Sequence, residues 1–173
     1  MTEWVPFRID AGHMTIPIKV HGQAGRAMLD SGSDINGINA QFVLANEDKF
    51  TQGGKIALEG VFGRVYRATC NKVPVELCGA DVEIDNMVEI RDFNSLVLLG
   101  KVFFRQMVLQ IDYPNKRSRM IEHVSINLKK LKNIDMRFNK QLGRPIVKTR
   151  LNDEKNIWVI RDTGYWQQRG ADH

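Results

Sequence analysis

One short motif combines a carboxylate with residues that could hold it for chemistry. Asp30, Ser31 and Gly32 follow the apolar run Ala27-Met28-Leu29, so the sequence predicts a carboxylate just past the end of a β-strand. A carboxylate in such a place can act as a general base or a general acid. Asp-Ser-Gly is also ordinary turn chemistry, in which the carboxylate only caps its own loop. Neighbouring motifs must decide between these interpretations.

Other reactive groups are sparse. Cys70 and Cys78 are too few for a disulfide scaffold and have no nearby His partners for a zinc site. The four histidines are scattered without metal-ligand spacing: His13, His21, His123 and His173. The sequence therefore argues against a metal enzyme and predicts no cofactor.

The elements around the motif are predicted to be mostly β-strands. A chain of 173 residues with 43% apolar and 26% charged residues is typical of globular proteins and long enough for one buried domain. Residues 15–20 and 25–29 flank His21-Gly22-Gln23-Ala24, which predicts a hairpin that leads into Asp30.

A second hairpin and a buried strand follow. Residues 55–59 and 64–69 bracket Gly60-Val61-Phe62-Gly63, and glycine permits the backbone angles of a tight, mobile tip. The apolar run Leu96 to Leu99 ends at Gly100 and predicts a strand buried on both faces, with a short helix at 101–106 after it. The stretch 38–45 fits a short helix or a strand with a turn. Further strands are predicted at 73–77, 82–88, 107–112 and 118–122.

Three motifs in this order resemble the retropepsin family of aspartic proteases. They are Asp30-Ser31-Gly32, the Gly60 to Gly63 hairpin, and Leu98-Leu99-Gly100 with Lys101. The resemblance covers about residues 5–122. It implies an all-β fold, namely a small closed β-barrel of the retropepsin-like acid protease type with one short helix, followed by a C-terminal extension.

The resemblance also implies roles for the motif residues. Asp30 would be the catalytic carboxylate, with Ser31 bracing the loop through its hydroxyl and Gly32 allowing close backbone approach. The hairpin would be a flap, in which Gly60, Phe62 and Gly63 close over an extended peptide.

One carboxylate does not suffice for this chemistry. Peptide hydrolysis without a metal or a nucleophilic side chain needs both a base that activates water and an acid. Two close carboxylates that share one proton can serve as both. In retropepsins the partner comes from an identical subunit, so the resemblance implies a homodimer with one Asp30 from each chain.

An internal repeat offers a different partner. Pro145-Ile146-Val147-Lys148 leads to Ile157-Trp158-Val159-Ile160 and Asp162-Thr163-Gly164, which echoes residues 17–20, 27–29 and 30–32. The distance from Pro to Asp is 17 residues here and 13 in the first copy. Only nine residues follow Gly164, so a second flap and a second apolar-apolar-Gly step do not fit after it.

These observations divide the chain into a protease lobe at 1–125, a connector at 126–144 and the start of a possible second, incomplete lobe at 145–173. Between Tyr113 and Arg150 the chain has eleven Lys or Arg against Glu122 and Asp135. Few aromatic residues are interleaved there, which favours a solvated linker over a nucleic-acid-binding surface.

Three interpretations remain for the whole chain. The first is an aspartic endopeptidase with one Asp30 from each subunit of a homodimer. The alternatives are a noncatalytic binding or dimerisation module with the same fold, and a truncated tandem protease that pairs Asp30 with Asp162. No apolar run reaches the roughly 20 residues of a membrane span. Residues 1–10 also lack the features of a secretory signal, so the sequence predicts a cytoplasmic protein with no transmembrane segment.

Overall fold

The computed structural model describes residues 2–60, 63–122, 136–138, 140, 145–150 and 157–160. Sixteen strands lie in these ranges. In chain order, β1 to β8 are Val5–Pro6, Arg8–Asp10, His13–Val20, Gln23–Leu29, Gly37–Asn39, Thr51–Gly60, Gly63–Asn71 and Val73–Leu77. Strands β9 to β16 are Ala80–Ile84, Met87–Ile90, Val97–Leu99, Met107–Asp112, Arg117–Glu122, Met136–Phe138, Pro145–Thr149 and Ile157–Ile160.

Two short α-helices interrupt the strands, where one short helix was predicted. Helix α1 is Ala40–Leu44 and α2 is Lys101–Phe104, and a 3₁₀ turn covers Glu47–Lys49. Helix α1 forms because the Asn39 side chain caps it. Neither α-helix in the described ranges is long and apolar enough to cross a membrane.

A ten-stranded sheet dominates the fold. Its order is β6-β7-β10-β5-β11-β4-β3-β8-β9, with β2 added to β3. Strand β11 runs parallel to β4 and antiparallel to β5, while β5 and β10 are parallel. The described pairings do not join β6 to β9, so the predicted closed barrel is not confirmed.

Two smaller antiparallel sheets accompany it. Strands β1, β13 and β12 form one, which ties the start of the chain to residues 107–122. Strands β14, β15 and β16 form the other. The predicted connector at 126–144 therefore contains a strand, β14, while most of its other residues lie outside the described ranges.

Apolar side chains explain the arrangement of the large sheet. Strand β8 alternates strictly, with Val73, Val75 and Leu77 buried and the residues between them exposed. All three residues of β11 are buried, as predicted for a central strand. The core that these strands share with β3 and β4 supports the loop after Leu29.

Candidate active site

Asp30 lies directly after β4 in a loop that it helps to close. Its Oδ1 accepts hydrogen bonds from the backbone N–H of Gly32 at 2.9 Å and of Ser33 at 3.1 Å. Its backbone N–H donates to the Leu99 carbonyl at 2.9 Å. The residue is half-buried. The loop and the end of β11 thus fix both the backbone and the carboxyl group of Asp30.

The far part of the loop is anchored to the two residues after Leu99. The N–H of Gly100 donates to the Asn36 side-chain oxygen at 3.0 Å, and this bond is buried. The N–H of Lys101 donates to the Ser33 carbonyl at 2.9 Å. The Lys101 ammonium also forms an ion pair with Asp34. Three consecutive residues therefore hold the loop.

The contact between Gly100 and the loop leaves no room for a side chain at position 100. A Cβ built on Gly100 would overlap the carbonyl oxygen of Ile35 and would also lie 2.9 Å from the Ser33 carbonyl oxygen. Both atoms belong to the backbone, so no side-chain rotation relieves the overlap. The apolar-apolar-Gly step thus lies against the Asp30 loop, at the position where the family resemblance puts it.

Some loop residues were not singled out from the sequence. The Ser33 hydroxyl donates to the Ile35 carbonyl at 3.1 Å and accepts from the Ile35 N–H at 3.3 Å, so Ser33 braces the loop. The same role was predicted for Ser31, which is half-buried, and there it stays a prediction. Serine is a frequent turn residue, which was the available signal for Ser33.

The predicted flap is described except for its tip. Strands β6 and β7 form an antiparallel hairpin whose last pair is Gly60 and Gly63. Gly63 has φ of +109°, which a residue with a side chain rarely adopts. Val61 and Phe62 lie outside the described residues.

A cleft of about 950 Å³ opens beside β4. Arg26 and Met28 line it, and alternation along β4 puts these two side chains on the same face of the sheet. Along β4, the last residue that lines the cleft is Met28, two residues before Asp30. Other lining residues come from β2, β3, β5, α1 and the loop before β11, including Asp10, His13, Asn39, Phe42 and residues 92–96.

Arg26 neutralises an acidic group at this cleft. Its Nε lies 3.1 Å from an Asp10 carboxylate oxygen, and it donates to the Thr15 hydroxyl at 2.7 Å. A second nitrogen, Nη2, donates to the Thr15 carbonyl at 2.7 Å. Thr15 in turn donates its hydroxyl to Asp10. The cleft therefore has a fixed polar cluster at one side and the apolar side chains of Met28 and Leu96 beside it.

The cysteines are not placed for chemistry at this cleft. Both are buried, and neither lines it. Burial raises the pKa of the Cys70 thiol to about 11, assisted by the nearby Glu89 carboxylate. Burial likewise raises the pKa of Cys78 to about 11. Among the described residues, no group of three or more His, Cys, Asp or Glu is arranged to hold a metal ion.

Asp162, Thr163 and Gly164 lie outside the described residues, but the strands before them are described. In the large sheet Arg8 pairs with Thr15, which pairs with Met28, two residues before Asp30. The small C-terminal sheet has a comparable row of three paired residues, and that row also begins with an Arg.

That sheet has the same antiparallel order of three strands, and an Arg again begins the row of paired residues that ends two residues before an Asp. Arg137 of β14 pairs with Ile146 of β15, which pairs with Ile160 of β16. Ile160 precedes Asp162 by two residues in the sequence, as Met28 precedes Asp30. The pairing of β14, β15 and β16 is therefore similar to that of β2, β3 and β4, and the second lobe stays a prediction.

This register explains the unequal Pro-to-Asp distances. Pro17 pairs with Arg26, four residues before Asp30. In β16 the residue four positions before Asp162 is Trp158. Trp158 pairs with Lys148, not with Pro145. The two prolines are therefore not equivalent, and the repeat is better defined by its cross-strand pairs than by its prolines.

Comparisons with known proteins find similarity among solved structures only. No family model matches the chain, and no curated protein matches it. Among solved structures it is similar to the crystal structure of a retropepsin-like aspartic protease from Rickettsia conorii. The two share 16% identity with a TM-score of 0.44, over 70% of this chain and 97% of that chain. This likeness does not assign the chain to a family.

Proposed function

We propose that the protein is an aspartic endopeptidase in which Asp30 supplies one carboxylate of a catalytic pair. The observation that carries the proposal is the anchoring of the Asp30 loop. The Asp30 carboxyl oxygen is fixed by two backbone N–H groups, and its own N–H donates to the Leu99 carbonyl. The rest of the loop accepts hydrogen bonds from Gly100, through the Asn36 side chain, and from Lys101, through the Ser33 carbonyl. A carboxylate that must meet a second carboxylate at short range needs such a rigid support.

The reaction needs both carboxylates in different protonation states. Two carboxylates about 3 Å apart do not both ionise easily, so the pair holds one proton. The ionised member takes a proton from water, which attacks the peptide carbonyl carbon. The protonated member gives its proton to the carbonyl oxygen, and a proton then passes to the leaving nitrogen as the C–N bond breaks.

A second copy of the chain is the proposed source of the partner. Two Asp30 loops on a two-fold axis would bring their carboxylates together, and each cleft would then receive one side of an extended peptide. The β6–β7 hairpin, with Gly60 and Gly63 at its described end, would cover the peptide and exclude water.

A peptide digest tests this function. The wild type, incubated with a diverse peptide mixture between about pH 4 and 7, should produce internal cleavages that mass spectrometry identifies. Asp30→Asn should produce none while keeping the thermal unfolding curve of the wild type. If the wild type and Asp30→Asn are both folded and both leave the peptides intact, the protein is the noncatalytic binding module and not an enzyme.

Asp162 is a second candidate partner, favoured by the similar pairing of β14, β15 and β16. Strands that pair as β2, β3 and β4 do would carry the following Asp-Thr-Gly as β4 carries Asp-Ser-Gly. Asp162→Asn separates the two sources. Full activity of this variant supports the pair of Asp30 residues, whereas a loss equal to that of Asp30→Asn supports pairing with Asp162.

A further inference from the structure

Asn39 joins two parts of the structure that border the cleft. It is the last residue of β5, and its side-chain Oδ1 accepts from the backbone N–H of Gln41 at 2.9 Å and of Phe42 at 3.1 Å. These bonds cap α1. Its Nδ2 donates to the Phe93 carbonyl at 2.6 Å and lies 3.5 Å from the Ser95 carbonyl oxygen.

Residues 92–96 belong to the loop between β10 and β11, and all five line the cleft; we call them the cleft wall. The backbone N–H of Asn39 donates to the Leu96 carbonyl of this wall at 2.9 Å. The capping bonds need the side-chain oxygen to face the helix, so the NH₂ group must face the wall. One side chain thus fixes the helix start and the wall together.

A second set of contacts holds the end of the wall. The Leu96 N–H donates to the Arg26 carbonyl at 2.9 Å, and a Cβ on Gly25 would overlap the Leu96 side chain. Both contacts hold Leu96 against β4. Within the described part of the chain, the hydrogen bonds that reach Phe93 and Ser95 come from Asn39.

We propose that Asn39 is a positioning residue that sets the width of the cleft and thereby the strength of peptide binding. This role rests on the proposed function. Asn39 contacts the wall, while the Asp30 loop is held separately by Leu99, Gly100 and Lys101. Loss of the wall bond should therefore raise KM and leave kcat nearly unchanged.

Asn39→Ser isolates the wall bond. Serine is a good helix cap, so α1 keeps its cap, but the side chain lacks the NH₂ group that bonds to Phe93. Losing one such hydrogen bond should raise KM by about 2- to 10-fold, with kcat changed less than about 2-fold. Asn39→Asp also keeps the cap and places a carboxylate oxygen against the Phe93 carbonyl, so its KM should rise at least as much.

Asn46→Ser is the matched control. The Asn46 side chain donates to the Phe42 carbonyl of the same helix at 2.9 Å but does not line the cleft. Its KM should equal that of the wild type. Hydrogen exchange measured by mass spectrometry gives a readout without substrate: the amides of the cleft wall should exchange faster in Asn39→Ser than in the wild type or Asn46→Ser.

The outcomes separate this role from the function itself. A wild type that cuts no peptide removes the proposed function, and the role of Asn39 falls with it. An active enzyme in which Asn39→Ser keeps the KM of the wild type, or loses kcat at constant KM, contradicts only the role of Asn39. Unchanged exchange of the wall amides contradicts it as well.

Discussion

At the scale of single residues, Asp30 has more support than a turn requires. An ordinary Asx turn is satisfied by bonds such as those from Gly32 and Ser33 to the carboxyl oxygen. The additional bonds from the loop to Leu99, Gly100 and Lys101 tie it to a buried strand. This difference favours a functional carboxylate over a residue that only caps its own loop.

Gly100→Ala should loosen this support. The new methyl group would overlap the Ile35 carbonyl oxygen, so the loop or α2 must shift. We expect the free energy of unfolding to fall by about 1–3 kcal/mol, as overpacking usually costs. Urea denaturation of the two proteins measures it. An unchanged midpoint would contradict the close contact between Gly100 and the loop.

At the scale of elements, the β6–β7 hairpin leaves the large sheet at an irregular point. Strand β10 pairs with Thr69 and Cys70 of β7, and the hairpin pairs continue beyond them to Gly60 and Gly63. The register between β6 and β7 shifts between Gln52 and Lys55, a span that contains two glycines. A bulge at the base of a hairpin bends the strand and directs the arm that follows.

The two glycines of this bulge should respond differently to alanine. A Cβ on Gly53 would overlap the Thr69 hydroxyl oxygen, whereas a Cβ on Gly54 meets nothing within 4 Å. Gly53→Ala should lower the free energy of unfolding by about 1–3 kcal/mol. Gly54→Ala should change it by less than about 1 kcal/mol in either direction. Equal melting temperatures for both variants would contradict the described bulge.

Most strands could be predicted from local patterns, and the exceptions have physical reasons. The alternation of β8 and the apolar run of β11 read directly from the sequence. The predicted strand at 82–88 is instead two strands, because Asn86 takes φ of +53° and breaks the run. Helix α1 has only five residues, too few for periodicity to decide.

The supports of the site were less predictable than its motif. Asp30, Gly32 and Gly100 could be singled out because they belong to short patterns. The Asn36 bond to Gly100 joins residues 64 positions apart, and the Asn39 bond to Phe93 joins residues 54 positions apart. No local pattern marks such partners, since their roles arise only when the sheet is assembled.

At the scale of the whole molecule, a shared site makes activity depend on association. If each chain supplies one Asp30, the specific activity should fall on dilution once the concentration drops below the dissociation constant of the dimer. Initial rates measured over a hundredfold range of enzyme concentration, with analytical ultracentrifugation at the same concentrations, check this. A constant specific activity from a monomer would contradict the homodimer and favour Asp162 as the partner.

The most direct test of the central claim compares two aspartates in one assay. Asp81 is exposed on β9 and does not line the cleft beside β4, so Asp81→Asn is the control for Asp30→Asn. On a peptide that the wild type cleaves, Asp30→Asn should lower kcat by about 10²- to 10⁴-fold or more, while Asp81→Asn keeps the wild-type rate. A folded Asp30→Asn protein that cleaves as fast as the wild type would contradict the catalytic role of Asp30.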